Sequence, residues 1–238
     1  MQLATPGPAG AGRLEVDRRP TPRPGAHQLL LRVAACAVCR TDLQLVEGEI
    51  GARRLPIIPG HQVVGRIEAV GAGVADWSAG DRAGAIWLAW ACGTCQYCRS
   101  GRENLCRRAR FTGWDVDGGF ASHVLLDADF AVRIPDAYDD EAAAPLLCGG
   151  VIGYRALRLA GLERGMRLGL YGFGASASLA IQVARHRGAR VHVATRSERD
   201  RQRALELGAV SVGGPTDLPP KPLDAAISFA PAGSVVVD

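Results

Sequence analysis

The stretch Met166–Thr195, MRLGLYGFGASASLAIQVARHRGARVHVAT, decides how this chain is read. Its first six residues, MRLGLY, are apolar enough for a buried strand. Gly172-Phe-Gly174-Ala-Ser-Ala177 follows, then a helical run to Gly188, then a second strand, RVHVAT. Strand, glycine turn, helix and strand make a βαβ unit, which joins parallel strands. The alternation continues downstream. SERDRQRALELG reads as a helix with Ser197 as N-cap, Asp200 three residues on and Gly208 past its end; AVSVGG and LDAAISFA add two strands. A doubly wound parallel sheet is expected. Gly172 permits the tight turn, and Gly174 lets the backbone approach a pyrophosphate resting on the helix N-terminus. Ala177 stands where the fingerprint allows a third glycine or an alanine. A carboxylate at the end of the second strand would bond the ribose hydroxyls of NAD. Thr195 and Arg196 stand there instead, which points to NADP being accepted and favoured; the alternative is Arg196 as a cap on solvated surface.

Working back toward the N-terminus, the pattern changes near Pro145. EAAAPLLCGGVIGYRALRLAGL reads as one helix ending at Gly161 and Gly165. Before it come short strands punctuated by Gly and Pro: QLLLRVAA, VVGRIEAV, RAGAIWLA and ASHVLLD. The expected division is an irregular β domain over 1–145 and a nucleotide-binding domain over 146–238.

Four of the seven cysteines lie in one loop, CGTCQYCRSGRENLC, at Cys92, Cys95, Cys98 and Cys106. Thiolates are soft ligands, and two residues between each of the first three cysteines let one chain wrap a tetrahedral ion. Four ligands close the shell, as a structural zinc requires. Paired disulfides at this density belong in small secreted scaffolds, and no signal peptide is expected here. A bacterial iron–sulfur run closes with a shorter gap and a Pro after its last Cys, whereas Arg107 follows Cys106. The remaining cysteines, Cys36, Cys39 and Cys148, are not paired with anything by spacing, and singly each reads as a small buried hydrophobe.

With 238 residues, 47% hydrophobic and 22% charged, the chain has the composition of an ordinary globular protein of one large or two modest domains. Its net charge of +4 is modest and spread along the chain, so no nucleic-acid partner is expected. No apolar stretch reaches membrane-spanning length, so no membrane partner is expected either. Reduced thiols committed to metal imply a cytoplasmic location.

In order, CRTD, PGHQVVG, GDRAG, the four-cysteine loop and PLLCGG resemble the zinc-dependent medium-chain alcohol dehydrogenases. The likeness runs from about PRPGAHQLLLRV to the end of the chain. FTGWDVDGGFASHV and IWLAWAC are most similar to the branch acting on small primary alcohols and aldehydes. The resemblance implies a GroES-like β-barrel followed by a partial Rossmann sheet. It also implies one catalytic zinc on Cys39, His61 and Cys148 besides the structural one, and hydride transfer between the substrate and NAD(P). Thr41 then passes on the proton, Asp42 orients His61, Arg40 reaches the cofactor pyrophosphate, and Trp87 narrows the substrate pocket, although a plain core role for Trp87 fits nearly as well. Two positions depart from the family: Gln62 replaces a Glu that can serve as an alternative zinc ligand, and Gln44 replaces a His that ends the proton relay. An amide cannot take up a proton at neutral pH, so rate and pH optimum are the properties affected.

The family forms homo-oligomers through a C-terminal part that is expected to be missing here. Six strands complete such a sheet and four are placed; VVVD follows LDAAISFA too closely for a parallel crossover and reads as the start of a helix. The last strand is expected to leave Ile227 and Phe229 without a neighbour, making the chain aggregation-prone and a poor catalyst. A truncated, non-catalytic zinc- and nucleotide-binding protein is the alternative function. A zinc-free quinone reductase would lack the cysteine loop, His61 and Cys148, and the sequence speaks against it.

Overall fold

The computed structural model describes residues 1–10 and 12–230. They form two compact units, Met1–Cys148 and Gly149–Asp238.

In the first unit, β1 (Gln2–Leu3) pairs antiparallel with β2 (Leu14–Glu15). There follow β3 (Gln28–Ala37), α1 (Arg40–Glu47), β4 (Gln62–Val70), β5 (Arg82–Ala85), β6 (Leu88–Trp90), α2 (Gln96–Arg99), β7 (Arg110–Phe111), β8 (His123–Asp127), β9 (Ala131–Arg133) and α3 (Asp140–Ala143). Five strands make one antiparallel sheet in the order β8-β3-β4-β5-β9, and β6 pairs with β7 as a separate ribbon. The sheet packs on alternating residues of its strands: Leu29 and Leu31 of β3, Val63 and Ile67 of β4, and Val124 and Leu126 of β8 are all buried in one cluster. This is the GroES-like irregular β domain. RAGAIWLA, expected as one strand, is two. The chain leaves the large sheet after Ala85, where Thr112 bonds the carbonyls of both Ile86 (2.7 Å, through its hydroxyl) and Trp87 (2.9 Å, through its amide).

The long helix expected from Glu141 also differs. Asp139 caps α3, its carboxylate accepting the Ala142 amide at 2.6 Å. A 3-10 turn over Ala144–Leu147 follows, and Cys148 leaves helical geometry at φ −131°, ψ −73° before α4 (Gly149–Leu159) opens the second unit. Pro145 supplies the reason: it has no amide proton to donate and its ring crowds the preceding turn, so an α-helix cannot run through it.

In the second unit, β10 (Arg167–Tyr171), α5 (Ala175–His186), β11 (Arg190–Ala194), α6 (Glu198–Glu206), β12 (Ser211–Gly213) and β13 (Ala225–Ser228) form a parallel sheet in the order β12-β11-β10-β13. The sheet grows outward from β10 to β12 and then returns to the far side of β10. That reversal is the topological switch point at which such sheets bind ligands, and Gly172 lies at its carboxyl end. Ser197 caps α6, accepting the Asp200 amide at 3.2 Å. Asp224 pins the start of β13, taking the Arg167 amide at 2.8 Å and its guanidinium at 2.8 and 3.1 Å. Ile227 and Phe229 are not without neighbours: both are partly buried against the Leu168–Val191 core, because β13 pairs with β10 along one edge. VVVD lies outside the described residues. Among the described residues, no helix is long and apolar enough to cross a membrane.

Candidate metal centres and nucleotide turn

Cys39, His61 and Cys148 come together in the first unit, their ligand atoms all within 4.8 Å of one another. Each is delivered by a break in regular structure. Cys39 is the residue before α1, His61 follows the left-handed Gly60 (φ +96°) at the start of β4, and Cys148 sits in the kink after Pro145. The Gly60 peptide is fixed by the DGG motif. Gly119 donates to the Gly60 carbonyl (2.8 Å) and Phe120 to that of Pro59 (3.0 Å), while Asp117 accepts the Ile58 amide (3.0 Å). A side chain at Gly118 would place its Cβ 2.1 Å from the Gly60 oxygen, so only glycine allows this approach.

The donor set and its spacing fit a tetrahedral ion. Zn–S and Zn–N bonds of about 2.3 and 2.0 Å place neighbouring sulfur and nitrogen ligands about 3.5 Å apart; Cys39 Sγ and His61 Nε2 are 3.4 Å apart. Three donors leave one position open, the arrangement of a catalytic site. Behind them, Asp42 is buried and aims Oδ1 at His61 Nδ1 (3.3 Å) while Oδ2 accepts the Cys39 amide (2.9 Å). One carboxylate thus orients two ligands and selects Nε2 for the metal. The hydrogen bond from Cys148 leads in pulling the Cys39 thiol down to about 4, against its burial and with help from His61. The bond to Cys39, followed by burial, drives the Cys148 thiol upward. Burial alone would lower His61, but Asp42 and Cys39 raise it to about 9.

Trp87 packs edge-on against the His61 ring, centroids 4.9 Å apart, and stacks on Phe111 (5.2 Å) and Trp114 (5.7 Å). The last two were not singled out from sequence; both lie in FTGWDVDGG, where an aromatic pair flanking a glycine was the available signal. Thr41 stands on the first turn of α1, partly buried and two residues from Cys39. Gln44 is partly buried on the same helix. Gln62 is buried, its amide donating to the Ala37 carbonyl (3.2 Å). Arg40 is exposed and ion-paired with Glu49 (2.5 Å) and Glu47 (3.6 Å).

Cys92, Cys95, Cys98 and Cys106 form a second group, again within 4.8 Å of one another. Cys98 lies 3.9 Å from Cys92 and 3.5 Å from Cys95, against about 3.8 Å for sulfurs around a tetrahedral zinc. Cys98 and Cys106 are buried against Ala91 and Ala109. Backbone amides lead in lowering Cys92 to about 5, whereas burial pushes Cys98 up to about 12. Zinc with four thiolates carries a net double negative charge, and the exposed Arg99, Arg102, Arg107, Arg108 and Arg110 surround this loop with the opposite sign.

In the second unit, Gly172 has φ +84°, and a Cβ there would lie 2.8 Å from the Ala230 nitrogen. Gly174 differs: nothing lies within 4 Å of its absent Cβ, so the space beside it is open to a ligand. Ala177 is fully buried where α5 meets the sheet. A nicotinamide dinucleotide fits this turn by its donors and by that open face. Thr195 is buried at the end of β11, its amide bonded to the Gly213 carbonyl (2.9 Å), and Arg196 is exposed next to it. A cleft of about 510 Å³ beside Gly174 is bordered by Ser178, Arg199 and Arg203, which the sequence reading did not pick out.

Known proteins resemble the chain in sequence and fold. Residues 25–136 match the family described as alcohol dehydrogenase GroES-like domain. The chain is 50% identical over 241 residues to the "Probable alcohol dehydrogenase AdhA" of Mycobacterium tuberculosis, covering 99% of this chain and 70% of that protein. Among solved structures, CAD from Helicobacter pylori complexed with NADP(H) superposes with a TM-score of 0.82 at 28% identity, over 87% of this chain and 62% of the other. A cobalt- and zinc-bound thermostable alcohol dehydrogenase from Pyrobaculum aerophilum gives 0.80 at 28% identity, over 90% and 66%. The chain thus spans 62% to 70% of these proteins' own lengths.

Proposed function

The chain belongs to the zinc-dependent medium-chain alcohol dehydrogenase family, and from that premise we propose that it is an oxidoreductase transferring hydride between a small primary alcohol or aldehyde and NADP. The observation that carries the reading is the convergence of Cys39, His61 and Cys148 with Asp42 bonded behind them, an open three-ligand centre distinct from a closed four-cysteine one. When bound at the open centre, zinc supplies Lewis-acid polarisation of the substrate oxygen, and the nicotinamide accepts or returns the hydride.

The protein's own groups do the rest. Asp42 holds the His61 and Cys39 donors in place, so little reorganisation accompanies the reaction. The Thr41 hydroxyl, two residues from Cys39 on the first turn of α1, takes the substrate proton onward. Gln44 cannot receive it, so the proton leaves through water or cofactor hydroxyls. Gln62, bonded to Ala37, holds strand β4 to β3 and takes no part as a ligand. Trp87, packed edge-on against the His61 ring, would narrow the substrate space beside the ligands and select small substrates.

NADP is favoured because no carboxylate ends β11, where the exposed Arg196 follows Thr195, and because the exposed Arg199 borders the cleft beside Gly174. The relative bound to NADP(H) supports the same choice. The test is absorbance at 340 nm with zinc-loaded protein, ethanol or a C2–C4 primary alcohol, and each cofactor in turn. Turnover with NADP exceeding that with NAD is expected, reversed by Thr195→Asp. A strong preference of the wild-type protein for NAD would refute the cofactor choice, and no turnover with either cofactor would refute the activity.

A further inference from the structure

The aromatic cluster beside the open centre is held from outside by a residue with no contact to the metal ligands. Trp87, Phe111 and Trp114 meet in a triangle with centroids 5.2, 5.7 and 5.8 Å apart. Over the outer side of that triangle lies the Arg53 guanidinium, 4.0 Å from the Trp114 ring and 5.7 Å from Phe111. One nitrogen of Arg53, Nη1, donates to both oxygens of Asp115 at 3.3 Å, and Asp115 in turn accepts the Phe111 amide at 2.9 Å. The Trp114 indole closes the ring of contacts by donating to the Gly51 carbonyl at 2.9 Å. The segment after α1 and the segment after β7 are thereby stapled together through one tryptophan.

We propose that Arg53 is a positioning residue that sets substrate size: by clamping Trp114 it fixes Trp87 against His61 and keeps the site narrow. The inference rests on the dehydrogenase reading. A guanidinium is suited to the task because its delocalised charge is drawn to an indole face while one of its nitrogens still donates to a carboxylate. Asp115 is largely buried, so the pair is shielded on one side and holds Arg53 in a single place. Trp87, Phe111 and Trp114 touch one another, so freedom gained by Trp114 passes to Trp87, the ring in contact with the metal ligand. A wall only an ångström looser admits a bulkier alcohol and holds ethanol less well.

The test compares kcat/KM for ethanol and for benzyl alcohol in zinc-loaded wild type, Arg53→Ala, Arg53→Lys and Asp115→Asn. Arg53→Ala should raise the benzyl-to-ethanol ratio by roughly three- to tenfold, the range expected for losing one partly desolvated cation–π contact. The shift should fall mainly on KM. Arg53→Lys, which keeps a cation but loses the delocalised guanidinium plane, should recover part of the discrimination, and Asp115→Asn should lie between wild type and Arg53→Ala. A lowered melting temperature with an unchanged ratio in Arg53→Ala would mean that Arg53 only stabilises the fold, and overturns the proposal. Should Arg53→Ala not fold, Asp115→Asn decides by the same ratio. Near-UV circular dichroism gives an arm independent of turnover. Loss of the tryptophan bands in Arg53→Ala, with the far-UV spectrum intact, supports the clamp even where no alcohol is oxidised and the dehydrogenase reading has failed; an unchanged near-UV spectrum overturns it.

Discussion

Removing the Asp42 carboxylate should weaken one metal centre and leave the other alone. Asp42 bonds His61 Nδ1 and the Cys39 amide with its two oxygens and is only 5% exposed, so water cannot replace it. Hydrogen bonds to a charged group contribute about 1.5–3 kcal/mol each, and losing a carboxylate behind a metal-bound imidazole costs roughly 10- to 100-fold in metal affinity. Asp42→Ala loses both bonds and belongs at the upper end, near 100-fold, or about 2.7 kcal/mol. Asp42→Asn keeps one carbonyl oxygen, but its amide then faces a donor, either His61 Nδ1–H or the Cys39 amide, and about tenfold is expected. Competition against a chromophoric chelator reads both centres at once, with the four-cysteine loop as internal reference. The reasoning fails if Asp42→Ala binds both zinc ions within about twofold of wild type, or if both centres loosen together.

The two groups of ligands should also part under cysteine substitution. Cys98→Ser should abolish folding, seen as loss of circular dichroism, because a closed structural zinc is part of the fold's stability. Cys148→Ser should keep the fold and one zinc while turnover falls more than roughly 100-fold. In the second unit, Arg167 holds the Asp224 carboxyl down at about 2, below the ordinary 3.8. A depressed carboxyl stabilises the folded state above its unfolded value and ceases to as pH falls through its folded one. Asp224→Asn should therefore lower the melting temperature at pH 7, and the gap to wild type should close between about pH 4 and pH 2. A gap that persists undiminished at pH 2 would contradict the assignment.

Local signals were legible and distant ones were not. The four-cysteine loop is self-contained: its ligands lie within fifteen residues, so spacing alone implies a tetrahedral shell. The βαβ alternation, the Gly172 turn and the Ser197 cap are likewise short-range and appear in the structure as read. Cys39, His61 and Cys148 come from three separated segments, and no periodicity brings them together; only the family likeness joined them. The unbroken helix expected from Glu141 failed because apolar periodicity outweighed Pro145 in the reading, yet that proline creates the kink in which Cys148 sits. The division of RAGAIWLA was invisible because its cause, Thr112, lies 25 residues beyond Trp87 in the chain, and the Arg53–Asp115 pair likewise spans 62 positions.

The most direct test of the central claim, that one β domain holds an open three-ligand centre and a closed four-cysteine centre, is the zinc content of the purified protein by elemental analysis. Two zinc ions per chain are predicted, with all four loop cysteines unreactive to thiol reagents until metal is removed. A content near one, with the loop cysteines oxidised to disulfides, would contradict the two-centre assignment.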